Sequence, residues 1–114
     1  MKKDLNDMLS ELLEVWNSYH KQGTHPWTRE VAAQDLQYQI WSFAKLVLQL
    51  QNFRYREWLS EDEIKKKMAD ELADILAEVI FVADGYQIDL PQAWEDMLAS
   101  DRKKISERSW KSDV

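Results

Sequence analysis

Apolar residues recur along this chain with the three-and-four spacing of helices, and no stretch alternates as a half-buried strand does. Leu5, Met8, Leu9, Leu12, Leu13, Val15 and Trp16 lie on that spacing and predict a first helix over residues 4–21, stopped by Gly23 and His25-Pro26. Thr28 offers an N-cap oxygen to a second helix over residues 29–52, with an apolar face of Leu36, Ile40, Phe43, Val47 and Leu50. Residues 53–59 are aromatic and basic, without a clear period. Ser60-Glu61-Asp62-Glu63 has the spacing of a capping box and opens a third helix that runs to Asp84. Its expected buried face is Ala69, Leu72, Leu76, Val79 and Ala83, with Glu71, Asp74 and Glu78 on the flank. Gly85 is the expected stop. Ile88-Asp89-Leu90-Pro91 starts a fourth helix to Ser106, with Ala93, Trp94, Met97 and Leu98 inward and a polar tail broken by Trp110. Four helices with short connections predict an all-α fold, an antiparallel four-helix bundle in a single domain over residues 1–114.

Composition sharpens this picture. Two Gly and two Pro in 114 residues suit long, uninterrupted helices. Six Trp in so short a chain point to an oligomer, because Trp carries large contact area at interfaces. The net charge of −6 disfavours nucleic-acid binding, which needs a positive surface, so a phosphate-bearing ligand calls for a metal or a local basic cluster. With no Cys, a disulfide framework and a thiolate zinc site are excluded. The first residues lead into an amphipathic segment and no run has the length of a membrane span, so the expectation is a cytoplasmic protein without membrane partners.

The candidate chemistry lies in Asp70-Glu71-Leu72-Ala73-Asp74-Ile75-Leu76-Ala77-Glu78. Glu71, Asp74 and Glu78, at i, i+3 and i+7, form one stripe of three carboxylates within two turns. Like charges so placed repel, and a hard cation such as Mg²⁺, which takes oxygen ligands, relieves the repulsion. A solvated helix face has the same pattern.

That stretch, followed by an apolar helix end and then Gly85-Tyr86-Gln87-Ile88-Asp89-Leu90, resembles the second half of the MazG-like all-α nucleotide pyrophosphohydrolases. The resemblance spans residues 36–104. Members carry E-E-x-x-E on one helix and E-x-x-D on the next. With these carboxylates they bind Mg²⁺, and they convert nucleoside triphosphates to the monophosphate and pyrophosphate. They assemble as dimers or tetramers. The resemblance implies Mg²⁺ or Mn²⁺ as cofactor, a nucleotide as substrate or ligand, a homodimer or homotetramer, and Glu71 and Asp74 as metal ligands, with Glu78, on the same stripe, as an assisting ligand.

The chain departs from the family at the first motif. Leu36-Gln37-Tyr38-Gln39-Ile40-Trp41-Ser42-Phe43-Ala44-Lys45 stands where the family has L-x-E-E-x-x-E-x-A-K, so Tyr38, Gln39 and Ser42 replace three glutamates. Asp35, one turn before Gln39, offers one carboxylate in compensation. The C-terminal match is Ser100-Asp101-Arg102-Lys103-Lys104, with Asp101 in the position of an asparagine. Arg102, Lys103 and Lys104 are the candidate phosphate contacts, although cations there also suit a helix end. Gln39 and Trp41 are further substrate candidates, Trp41 either narrowing the pocket or stacking on a base. Arg54 and Arg56 either stack on a nucleotide or belong to a linker that packs its aromatics over the bundle end. Glu11 and Glu14 fit a solvated face, and His20 and His25 lack metal spacing with each other. Two functions remain: an Mg²⁺-dependent pyrophosphohydrolase with a reduced carboxylate site, or an inactive relative that senses nucleotides or serves as an oligomeric structural protein.

Overall fold

The computed structural model describes residues 3–21 and 28–112. It contains four helices: α1 (Leu5–Lys21), α2 (Arg29–Leu50), α3 (Glu61–Gly85) and α4 (Leu90–Ser112). No described residue is in a strand, and no described helix is long and apolar enough to cross a membrane. The stop expected at Gly23 to Pro26 lies outside the described residues, as do the side chains of His20 and Trp110.

Local chemistry sets the helix ends. Thr28 Oγ1 accepts from Val31 N at 3.1 Å and caps α2. At α3 the capping box is complete: Ser60 Oγ accepts from Glu63 N, and Glu63 Oε1 accepts from Ser60 N. The bond from the Ser60 amide, with the Ser60 hydroxyl beside it, holds the Glu63 carboxyl below its ordinary range. Asp89 Oδ1 accepts from Gln92 N at the start of α4.

Helices α2 and α3 end alike. Phe53 N donates to Leu48 O, and Ile88 N donates to Ala83 O, each bond closing over a left-handed residue, Asn52 at φ 64° and Gln87 at φ 58°. Gly85 is therefore not the stop. It lies in the last turn of α3 and matters for space, because a Cβ there would come within 2.7 Å of Arg29 Cβ. Arg29 Nη1 donates to Gly85 O at 2.7 Å, and the guanidinium stacks 4.4 Å from the Tyr86 ring centroid. The Cβ of Arg29 cannot swing aside as a side-chain tip can. Gly85→Ala is thus expected to cost about 1–2 kcal/mol despite the better helix propensity of Ala, read as a lower midpoint in urea unfolding.

Helices α2 and α3 carry most of the packing. Arg29 meets Gly85 at one end and Asp35 faces Glu78 farther along, so the two run in opposite directions. Among the described residues, buried apolar side chains are few: Ala32 and Leu46 on α2, and Ile64, Ile80 and Ala83 on α3. Helix α1 lies more lightly on α3, with Trp16 edge-on to Phe81 at 4.5 Å between centroids. Helix α4 makes only marginal contact with the other three.

Two expected faces are corrected. On α3, Ala69, Leu72 and Leu76 are exposed, whereas Glu71 is half-buried and Glu78 is buried. Of the residues expected inward on α4, Ala93, Trp94 and Met97 are exposed and Leu98 is half-buried. Ile40 on α2 is also exposed. The α3 difference is one of rotation. Ile64, Met68, Glu71, Ile75, Glu78 and Val82, all buried or half-buried, follow a strict four-three repeat on which Glu71 shares a groove with α2 residues and Glu78 meets Asp35, and the stripe through Leu72 and Leu76 beside it is left open.

Candidate functional site

The α2 side of the helix pair has the same repeat. Ala32, Asp35, Gln39, Ser42, Leu46 and Gln49 follow one another at three and four residues, and all are buried or half-buried. Such positions ordinarily carry apolar side chains. Here Asp35, Gln39, Ser42 and Gln49 face a helix that contributes Glu71 and Glu78, so the seam between α2 and α3 is polar along much of its length.

Its lower end is satisfied by structure. Gln49, 2% exposed, donates from Nε2 to Tyr55 O. Arg56 donates from Nε to Gln49 O and from Nη2 to Leu50 O, which caps the last carbonyls of α2. Arg56 is accordingly a helix cap. Arg54 instead lies over the Trp41 ring at 5.9 Å. Phe53, Tyr55 and Trp58 do not pack over the bundle end. They are exposed, Trp58 to 91%, although Tyr55 and Trp58 meet edge-on.

The middle of the seam is not satisfied. Glu71 Oε2 and Glu78 Oε2 are buried without a hydrogen-bond partner, and neither glutamate pairs with a cation among the described residues. Burial pushes the Glu78 carboxyl up to about 8, helped by a hydrogen bond to Asp35 and by the charges of Asp35, Asp74 and Glu71. Such a bond needs a proton held between the two groups, since two carboxylates have no donor between them. Gln39 Nε2 donates to Asp35 Oδ2 at 3.2 Å, orienting the acceptor. Burial also raises Glu71, with Asp74 and Asp70 adding to the effect. Asp74 itself is exposed.

Glu71 opens onto a groove of about 410 Å³ lined also by Tyr38, Trp41, Ser42, Lys45 and Lys67. Lys45 reaches Glu57 Oε1 at 3.6 Å from the groove wall. The groove thus joins three acids, the half-buried Glu71 with Asp70 and Glu57, to two ammonium groups and two aromatic side chains. Arg102, Lys103 and Lys104 are exposed on α4 and do not line it.

Among the described residues, no three His, Asp or Glu side chains form a group that holds a metal ion by itself. Mg²⁺ nonetheless commonly takes one or two carboxylates and completes its shell with water and phosphate oxygens. Two buried acid oxygens without partners, beside Asp35, Gln39 and Ser42, suit that manner of binding. Lys67 enters the groove without having been marked from the sequence, and Tyr38 and Lys45, matched to motif positions there, were not named as ligand contacts. The paired four-three repeats with acids at inward positions are the signal that finds this seam.

Comparison with known protein families, characterised proteins and solved structures finds no match to this chain.

Proposed function

We propose that this chain is a MazG-like pyrophosphohydrolase with a reduced carboxylate set, hydrolysing a nucleoside triphosphate to the monophosphate and pyrophosphate with Mg²⁺ or Mn²⁺. The observation that carries the reading is the pair of partnerless buried oxygens on Glu71 and Glu78 in a seam where apolar residues would be more stable. In this reading one or two of the carboxylates Glu71, Glu78 and Asp35 would hold the cation, with water and phosphate oxygens completing its shell, Asp74 adds negative charge from outside the seam, and Gln39 is a neutral ligand. Trp41 offers its face to the base and Lys45 and Lys67 meet phosphate oxygens, whereas Arg102, Lys103 and Lys104, outside the groove, supply no phosphate contact within one chain. When bound, the cation neutralises charge on the phosphates. Water adds its oxygen to one phosphorus of the α–β anhydride, the bond from that phosphorus to the bridging oxygen breaks, monophosphate and pyrophosphate separate, and the proton lost by the water passes to solvent. The protein acts as a homodimer or homotetramer in the cytoplasm.

A second reading keeps the groove and drops the chemistry: a nucleotide sensor or oligomeric structural protein. Tyr38, Gln39 and Ser42 in the place of three acids favour it. A pyrophosphate-release assay over the common nucleoside triphosphates with Mg²⁺ or Mn²⁺ separates the two. Release that depends on the cation supports hydrolysis. Calorimetric binding of a nucleotide without release supports the sensor, and neither heat nor release leaves the structural role.

A further inference from the structure

The geometry points to an exchange of helices: two copies of this chain associate with α4 of each laid along the α1–α3 face of the other. This rests on the homo-oligomeric part of the reading above and needs neither the cation nor the nucleotide.

Two apolar stripes with the pattern of core faces lie open in the single chain. On α4, Trp94, Met97, Leu98 and Ile105 share one side, with Trp94 57% and Ile105 63% exposed. A helix gains most of its stability from packing such a stripe, and α4 packs against almost nothing in its own chain. On α3, Ala69, Leu72, Ala73 and Leu76 are exposed, next to an open groove of about 360 Å³ between α1 and α3. Met8, Leu12 and Val15 line its α1 wall and Leu76, Ala77 and Ile80 its α3 wall. The linker keeps the stripes apart within one chain. Gln87 at φ 58° and the bond from Ile88 N to Ala83 O fix the direction in which α4 leaves α3.

The surface area favours a second copy as the occupant. The chain exposes 9240 Å², against about 6,600 Å² for a compact monomer of this mass. Its radius of gyration is 18.7 Å, where about 13 Å is usual for this length. An excess near 2,600 Å² per chain, about 5,200 Å² for a pair, is at the upper end of what obligate dimers bury in total. Charge agrees. Residues 101–108 of α4 carry Arg102, Lys103, Lys104 and Arg108 against Asp101 and Glu107, whereas residues 70–84 of α3 carry three exposed acids, Asp70, Asp74 and Asp84, and no base. Asp7, Glu11 and Glu14 stand on α1. The exchange would bring the basic end of α4 to the acidic helices of the partner.

The chain has no Cys, which makes cross-linking direct. Light scattering of the intact protein should give twice its 13.6 kDa mass or a multiple of that dimer. A monomer overturns the proposal. A Trp94→Cys protein is then mixed with a Leu76→Cys protein, and an Ile105→Cys protein with a Val15→Cys protein, each treated with a short bismaleimide. Cross-linked chains in either mixture, several-fold above a Lys65→Cys plus Trp94→Cys control, are the expected result. An oligomer of the right mass in which neither pair exceeds the control overturns the exchange and leaves the homo-oligomer standing. Circular dichroism and light scattering of each variant confirm that the chains tested are folded and assembled.

Discussion

Glu78→Gln is expected to stabilise this protein at pH 8 and to remove most of the pH dependence of its stability between pH 5 and pH 8. Glu78 is 4% exposed, and its carboxyl is raised from 4.5 to about 8, with burial the largest cause. The folded state therefore holds a proton that the unfolded chain releases near its ordinary value. Stability tied to this group is fully present below about pH 4.5 and is lost as pH rises toward 8, at no more than ~1.4 kcal/mol per pH unit. The groups facing Glu78 are Asp35 from α2 and Asp74 and Glu71 from α3, all acids that oppose its ionisation. Gln keeps the shape, donates to Asp35 at every pH and carries no charge to desolvate. Urea unfolding at pH 5, 6, 7 and 8, with a chelator present, reads the effect. A wild-type midpoint that does not fall over this range, or a Glu78→Gln protein less stable than wild type at pH 8, overturns the assignment.

The helices were legible in the sequence because their signals are local. Thr28 and the Ser60–Glu63 box act within one turn of the positions they cap, and the observed starts at Arg29 and Glu61 follow from them. The end of α3 was less legible. Glycine is the usual residue at a left-handed stop, but Gln87 takes that conformation here and Gly85 serves to admit Arg29, 56 positions away in sequence. The faces were misread for a physical reason. Hydrophobic periodicity locates the stripe that prefers to leave water, without saying which chain covers it. On α3 that stripe is the one through Leu72 and Leu76, and within one chain it stays open. The stripe that meets α2 carries Glu71 and Glu78, which no rule of apolar burial would select. Glu71, Glu78 and Asp35 could be marked as candidate ligands from their spacing and position. That Glu78 would be buried against Asp35, and Asp74 exposed, depends on the rotation of α3.

Glu71→Gln gives the clearest separation of a binding site from a structural acid, because the two roles move stability and affinity differently. Glu71 Oε2 is buried without a partner and its carboxyl is raised by burial, so the charged form is held against a desolvation cost. A structural acid would be expected to recover that cost through a hydrogen bond or an ion pair, and among the described residues Glu71 has neither. The amide has nearly the same volume and no charge. The variant is therefore expected to be at least as stable as wild type at pH 8. Its affinity for Mn²⁺ or Mg²⁺, measured by calorimetry with and without a nucleoside triphosphate, should fall tenfold or more, since even the partners of metal ligands contribute 10–100-fold. Pyrophosphate release should fall at least as far. Reduced stability with unchanged cation binding would make Glu71 part of an interface with a basic group of another chain. Gain in stability with loss of affinity identifies a residue retained for what it binds, and the polar seam between α2 and α3 is then explained as a site whose charge is balanced only when a cation is present.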